Sequence, residues 1–128
     1  MLFRSVHGPQ PRDYSQKINV KSSRAALRVA LSDKVRNKAF VVVNDFDLQK
    51  YSTKHIVESL KSLGQDETVL LADERKDHFL YRSARNIHGV SAMSASEINA
   101  ENVLRHKAIV LSEIALQSIT ARLTKEAQ

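Results

Sequence analysis

Apolar positions along this chain fall into alternating helical and extended periodicities. From Lys21 to about Arg36 they recur at helical spacing, with Ala26, Leu27, Ala30 and Leu31 on one arc and Asn19 placed as the N-cap. Ala39-Phe40-Val41-Val42-Val43 follows as an unbroken, largely β-branched run and predicts a strand buried on both faces. The alternation then repeats. Ser52 is positioned to cap a helix carrying Ile56, Val57, Leu60 and Leu63, closed by Gly64 at C′. Thr68-Val69-Leu70-Leu71-Ala72 predicts a second strand, and a helix around Lys76–Asn86 buries Phe79, Leu80 and Ala84, with Ile87 at its end. Val90–Met93 is a weaker third strand, Ala100–Arg105 a short helix, and Ala108-Ile109-Val110-Leu111 a fourth strand. Ser112 then caps a last helix with Ala115, Leu116, Ile119 and Leu123 inward.

Strands separated by helical crossovers make a parallel sheet with helices on both faces. The predicted class is therefore α/β. Residues 1–16 lack either periodicity, and Pro9 and Pro11 bias Gly8 and Gln10 away from helix. The expected organisation is a basic extended arm over 1–18 and a single globular α/β domain over 19–128, a size that buries a core without cross-links.

Charge changes this picture more than composition does. The chain carries 42% hydrophobic and 27% charged residues, ordinary for a soluble domain, but its net charge of +6 is local. Nine Lys/Arg against two Asp lie within Met1–Lys38, whereas the remaining eleven basic residues face twelve acids. A cationic segment on a near-neutral body points to a polyanion, most often nucleic acid. Aromatics make up 5% and tryptophan is absent, so phosphate contacts rather than base stacking would carry such binding. The absence of cysteine excludes disulfides, a thiol nucleophile and a Cys-type zinc site. No apolar run reaches the roughly 20 residues of a membrane-spanning helix.

Enzymatic chemistry has one candidate. Asp45 and Asp47 directly follow the first strand, where ligands of parallel α/β folds bind, and could hold Mg²⁺ for phosphoryl transfer; Asp73 and Glu74 follow the second strand in the same way. Such a site also wants a hydroxyl after the second strand, a Lys and a further acidic pair after a later strand, and Ala72-Asp73 and Leu111-Ser112 do not supply that set. Carboxylates in such positions also serve as solvated loop residues or helix caps. His7, His55, His78, His88 and His106 show no ligand spacing, and the three glycines are isolated, so no metal site, phosphate loop or bound cofactor is expected. Lys21, Arg24 and Arg28 recur at i, i+3 and i+7 beside the apolar arc of the first helix. Such side chains often only snorkel along a packed face, but no Glu stands at the neutralising i±4 positions here.

Gly8-Pro9-Gln10-Pro11-Arg12-Asp13-Tyr14-Ser15, followed by Lys17, Asn19, Lys21, Arg24-Ala25-Ala26-Leu27 and Ala30-Leu31-Ser32-Asp33-Lys34, resembles the central segment of bacterial-type ribosomal protein L four. Thr53-Lys54, Ser83-Ala84-Arg85-Asn86-Ile87, Ile98-Asn99-Ala100, Val103-Leu104, Lys107, Val110-Leu111 and Ala115-Leu116 extend the resemblance over nearly the whole chain. It implies a three-layer α/β/α core with a four-stranded, mostly parallel sheet. It implies no catalysis, large-subunit rRNA and neighbouring ribosomal proteins as partners, and a ribosome of the bacterial cytoplasm or of an organelle. Arg12, Lys17, Lys21, Arg24 and Arg28 occupy matching basic positions and are the implied rRNA contacts; Arg4 joins them through its place in the charged segment. The family's N-terminal segment and its long basic tunnel loop have no counterpart here, and Met1–His7 stands where a glycine cluster is usual. The resemblance therefore implies the core alone, with apolar surface left for a partner; a separate chain supplying the absent segment is one source considered, alongside a reduced organellar form or a truncated reading frame.

Overall fold

In the computed structural model, the residues described are 6–46, 48–65, 67–74 and 78–124. Five helices and four strands alternate along them: α1 (Val20–Arg36), β1 (Phe40–Val43), α2 (Thr53–Ser62), β2 (Val69–Asp73), α3 (His78–Ala84), β3 (Val90–Ser94), α4 (Ala100–Arg105), β4 (Ala108–Ser112) and α5 (Glu113–Thr124). The strands form one parallel sheet in the order β1-β4-β2-β3.

Two apolar clusters define three layers. Ile56 and Leu60 of α2 and Leu80 and Ala84 of α3 pack with Val69, Leu71, Ala108 and Val110 on one face. Leu27 and Ala30 of α1, Val103 of α4, and Ala115 and Ile119 of α5 pack with Leu70, Ala72, Ile109 and Leu111 on the other. Successive residues of β2 and β4 thus feed opposite cores, as a period of two requires, and every position of both strands is buried. Crossovers running toward β3 use α2 and α3, whereas the return from β3 to β4 uses α4 on the opposite face. Opposite directions on opposite faces give all three crossovers the same hand.

The first strand departs from expectation. Its apolar run reads as doubly buried, yet β1 lies at the sheet edge, pairs only with β4, and leaves Val42 43% exposed. Only β2 and β4, with a neighbour on each side, have the burial that such a run suggests. On α1, Ala26 is also exposed, and the buried arc narrows to Leu27 and Ala30 with Leu31 beside them. Val29 (70%) on α1 and Leu104 (64%) on α4 are exposed apolar side chains lining a common cleft.

Local signals set the element ends. Ser52 Oγ accepts the His55 N–H at 3.2 Å, capping α2. Gly64, at φ +67°, closes that helix through its N–H to the Lys61 carbonyl and the Gln65 N–H to the Leu60 carbonyl, both at 3.0 Å. Asn19 is the N-cap of α1 by position, but its side chain makes no capping bond. Lys38 ends the α1 turn at φ +55°, a left-handed conformation that glycine adopts more readily. The predicted helix start at Lys76 lies outside the described residues, and α3 ends at Ala84, with the Ile87 N–H folding back to the Ala84 carbonyl at 2.9 Å.

Candidate nucleic-acid interface

Residues 6–19 form neither helix nor strand and are exposed throughout. Within them Arg12 lies over the Tyr14 ring, 4.7 Å from its centroid. Asp13 accepts both the backbone N–H and the hydroxyl of Ser15, each at 2.8 Å. The Ser15 amide, and secondarily its hydroxyl, hold the Asp13 carboxyl below its ordinary value of 3.8. The one acid of the arm is thereby turned onto its own backbone.

Six cations were candidates from sequence. Arg4 lies outside the described residues. Arg12, Lys17 and Lys21 are exposed, and Lys17 and Lys21 make no hydrogen bond or ion pair with any described residue. Lys21 also sits in the first turn of α1, which contains no acid. A cation there opposes the helix macrodipole, so its placement does nothing for helix stability. Arg24 is half-buried and Arg28 exposed on the same helix. Arg28 donates to the Leu123 carbonyl at the end of α5, so the lower part of the stripe is partly committed to joining two helices. The three-cation stripe therefore divides: Lys21 is free of such a bond, and Arg28 has a structural partner as well as a charge.

One structural arginine escaped sequence reading. Arg122 of α5 donates through Nη1 to the carbonyls of Ser96 (2.6 Å) and Ala95 (3.3 Å), and through Nη2 to that of Ile98 (2.6 Å). Burial, together with repulsion from Arg24, lowers its pKa from the ordinary guanidinium value. No periodicity marks an arginine in the last turn of a helix as anything but a favourable dipole partner.

The candidate acids behave differently. Asp73 is 4% exposed, accepts the Ser112 hydroxyl at 2.6 Å and the Glu74 N–H at 2.8 Å. Ser112 Oγ in turn accepts the Ala115 N–H at 3.2 Å and so caps α5, as its position suggested. Asp73 is thus the anchor of a helix cap, not a metal ligand in waiting. Asp45 is exposed and accepts the Phe46 N–H at 2.8 Å; Asp47 lies outside the described residues. Among the described residues no three His, Asp or Glu side chains converge on a common point. His106 is buried at the end of α4, with Nδ1 2.8 Å from the Asn102 carbonyl and Nε2 2.9 Å from Ser91 Oγ. It ties α4 to β3. Among the described residues no helix is long and apolar enough to cross a membrane.

Among the described residues, a parallel α/β body with a satisfied strand-end network is joined to an exposed cationic lead-in. Comparison with known proteins gives the family: residues 4–122 match the Ribosomal protein L4/L1 family, and the chain belongs to it. It is similar to the large ribosomal subunit protein uL4 of Solibacter usitatus, 38% identical over 121 residues that cover 94% of this chain and 58% of the relative. The proteins of the same name from Chlorobium limicola (40% identity; 90% and 56% covered) and Oleidesulfovibrio alaskensis (37%; 92% and 57%) match similarly. The chain thus spans somewhat more than half the length of the curated relatives it matches. The family is one of structural ribosomal proteins rather than enzymes, which removes the phosphoryl-transfer reading of Asp45 and Asp47. In these relatives one polypeptide carries both the matched core and the remaining length, so a separate chain supplying the rest finds no support.

Proposed function

We propose that this chain is the rRNA-binding core of a large-subunit ribosomal protein in a bacterial cytoplasm. Its arm over 1–18 and the start of α1 dock on phosphates of large-subunit rRNA, and the α/β body over 19–128 holds them in place beside neighbouring ribosomal proteins during assembly. The observation that carries this reading is the run Arg12, Lys17 and Lys21, exposed in sequence with a helix that is itself anchored in the core through Leu27 and Ala30. A cation that no described residue neutralises, and that helix energetics would disfavour, is explained by an external anion. The relatives' name, large ribosomal subunit protein uL4, supplies the class of that anion.

The test is the salt dependence of binding to large-subunit rRNA. Engagement of about four to six phosphates gives a log–log slope of roughly −3 to −5, at ~0.7–0.9 per phosphate. Replacing Arg12, Lys17 and Lys21 together by Gln flattens the slope by roughly 2–3 and weakens binding at least about tenfold, while the unfolding midpoint stays within the ~0.5 kcal/mol usual for surface changes. A wild-type slope near zero would sink the reading.

A further inference from the structure

Counted along the chain, residues 39–128 are close to neutral, with eleven basic residues against twelve acids. The fold does not spread those charges evenly. We infer that Lys50, Lys54, Arg82 and Arg85, with the ring of Tyr81, form a second RNA-binding surface on the α2–α3 side, across the sheet from α1. This rests on the rRNA reading and deepens it, by giving a side of the molecule that charge counting leaves neutral its own phosphate contacts and a place for an unpaired base.

The start of α2 and the end of α3 are tied together. The Ser52 N–H donates to the buried Ser83 Oγ at 3.1 Å, and Arg82 Nη1 donates to the Tyr51 hydroxyl at 3.2 Å, each bond spanning 31 residues of sequence. The Arg82 guanidinium also lies over the Tyr51 ring, 5.5 Å from its centroid, and Phe79 meets that ring with 4.7 Å between centroids. A phenol and a ring are neutral, so these contacts orient Arg82 without cancelling its charge.

The other cations gather around this junction. Lys50 and Lys54 flank the Ser52 cap, and Lys54 sits in the first turn of α2, which holds no acid and where a cation opposes the helix dipole. The Arg85 N–H continues the α3 turn to the Tyr81 carbonyl at 3.0 Å, so Tyr81, Arg82 and Arg85 share the exposed side of that turn, away from the buried Leu80 and Ala84. Lys50, Lys54 and Arg85 are exposed and make no hydrogen bond or ion pair with any described residue. Glu58 stands one turn beyond Lys54 on α2, yet the two form no ion pair. Tyr81 is 55% exposed, and its ring packs on no other ring or cation among the described residues. Cations presented from two elements suit phosphates spaced along a backbone, and a bare ring beside arginines accepts an unpaired base. An acidic peptide would use the cations alone.

Binding of large-subunit rRNA is measured over a salt series for the wild type, the double variant Lys54→Gln/Arg85→Gln, Tyr81→Ala and Arg105→Gln. The double change removes side chains that bond no described residue, so unfolding is expected to stay unchanged. Its salt slope flattens by about 1.4–1.8, at ~0.7–0.9 per phosphate. That loss adds in full to the loss from neutralising Arg12, Lys17 and Lys21, because the two surfaces serve different phosphates. Tyr81→Ala weakens binding about five- to tenfold, the scale of one base stack, and leaves the slope where it was. Arg105 is exposed on α4, on the opposite face, and already paired with Glu101 at 3.1 Å, so its replacement leaves the slope unchanged. An equal flattening per charge in Arg105→Gln would make the effect one of net charge and overturn the surface. Unchanged affinity in Tyr81→Ala overturns the base contact and with it the inference as stated. A wild type with the expected slope and a silent double variant sinks this surface and leaves the rRNA reading standing; a wild type with a slope near zero removes both.

Discussion

The end of the sheet and the arm are both rich in polar groups, and they treat them in opposite ways. At the carboxyl ends of β2 and β4, Asp73, Ser112 and the Ala115 and Glu74 amides form a chain of hydrogen bonds centred on the buried Asp73 and Ser112 and shared among three elements. In the arm and the first turn of α1, Lys17 and Lys21 stand in solvent with no described partner. Polar groups that satisfy one another inside low-dielectric surroundings contribute to the fold and are poor candidates for chemistry. Polar groups that no described residue neutralises remain available to a partner. By position in the sequence the acids looked more like a site than they are, and by position in the structure the cations look more like one.

The largest effect that would break this contrast is at the buried end. Ser112→Ala removes the donor to a buried carboxylate and the cap of α5 in one step, and is expected to cost about 2–3 kcal/mol. Urea unfolding measures the loss, and rRNA affinity measured well below the unfolding midpoint should be unchanged. A neutral outcome for stability would show that the network is incidental. The triple neutralisation of Arg12, Lys17 and Lys21 is the mirror image, with binding lost and stability kept, and the two variants together separate fold from function.

A smaller effect sits at the boundary between the regions. Lys38, the last cation of the charged third, holds φ +55°, where a side chain is strained. Lys38→Gly is expected to raise stability by up to about 1 kcal/mol, read by thermal or urea unfolding. No gain would mean that the lysine stem has packing value that offsets the strain.

The smallest effect concerns the arm's own turn. The Asp13 carboxyl is lowered by the Ser15 amide and hydroxyl, so its contribution is present above its unfolded value of 3.8 and is lost as pH falls through the lower folded value. Titration of the Ser15 amide resonance should therefore show a midpoint below 3.8, with no accompanying change in global unfolding, because the turn touches nothing in the core. A midpoint at or above 3.8 would mean that the turn does not persist in solution.

Element type and order were legible in the chain because they depend on local periodicity and caps. Ser52, Gly64 and Ser112 mark helix ends through bonds to residues three or four positions away, and the structure places each as read. Charge asymmetry was equally legible, since it needs only counting. Strand burial was read less well: the β-branched content of Ala39–Val43 reports a preference for extended backbone, while burial on both faces depends on having two neighbours.

What the amino-acid sequence determined by itself, then, is the alternation of strands and helices, their caps, and the cationic lead-in, all properties of residues within a few positions of one another. Only the tertiary structure decided which strand lies at the edge, that Asp73 meets Ser112 across 39 residues, that His106 bridges α4 to β3, and that Arg122 and Arg24 line one cleft. Those pairings follow from the order β1-β4-β2-β3. Strand order is a choice among packings of the same local elements, settled by which faces bury together and by the hand of the crossovers, and no local pattern encodes it.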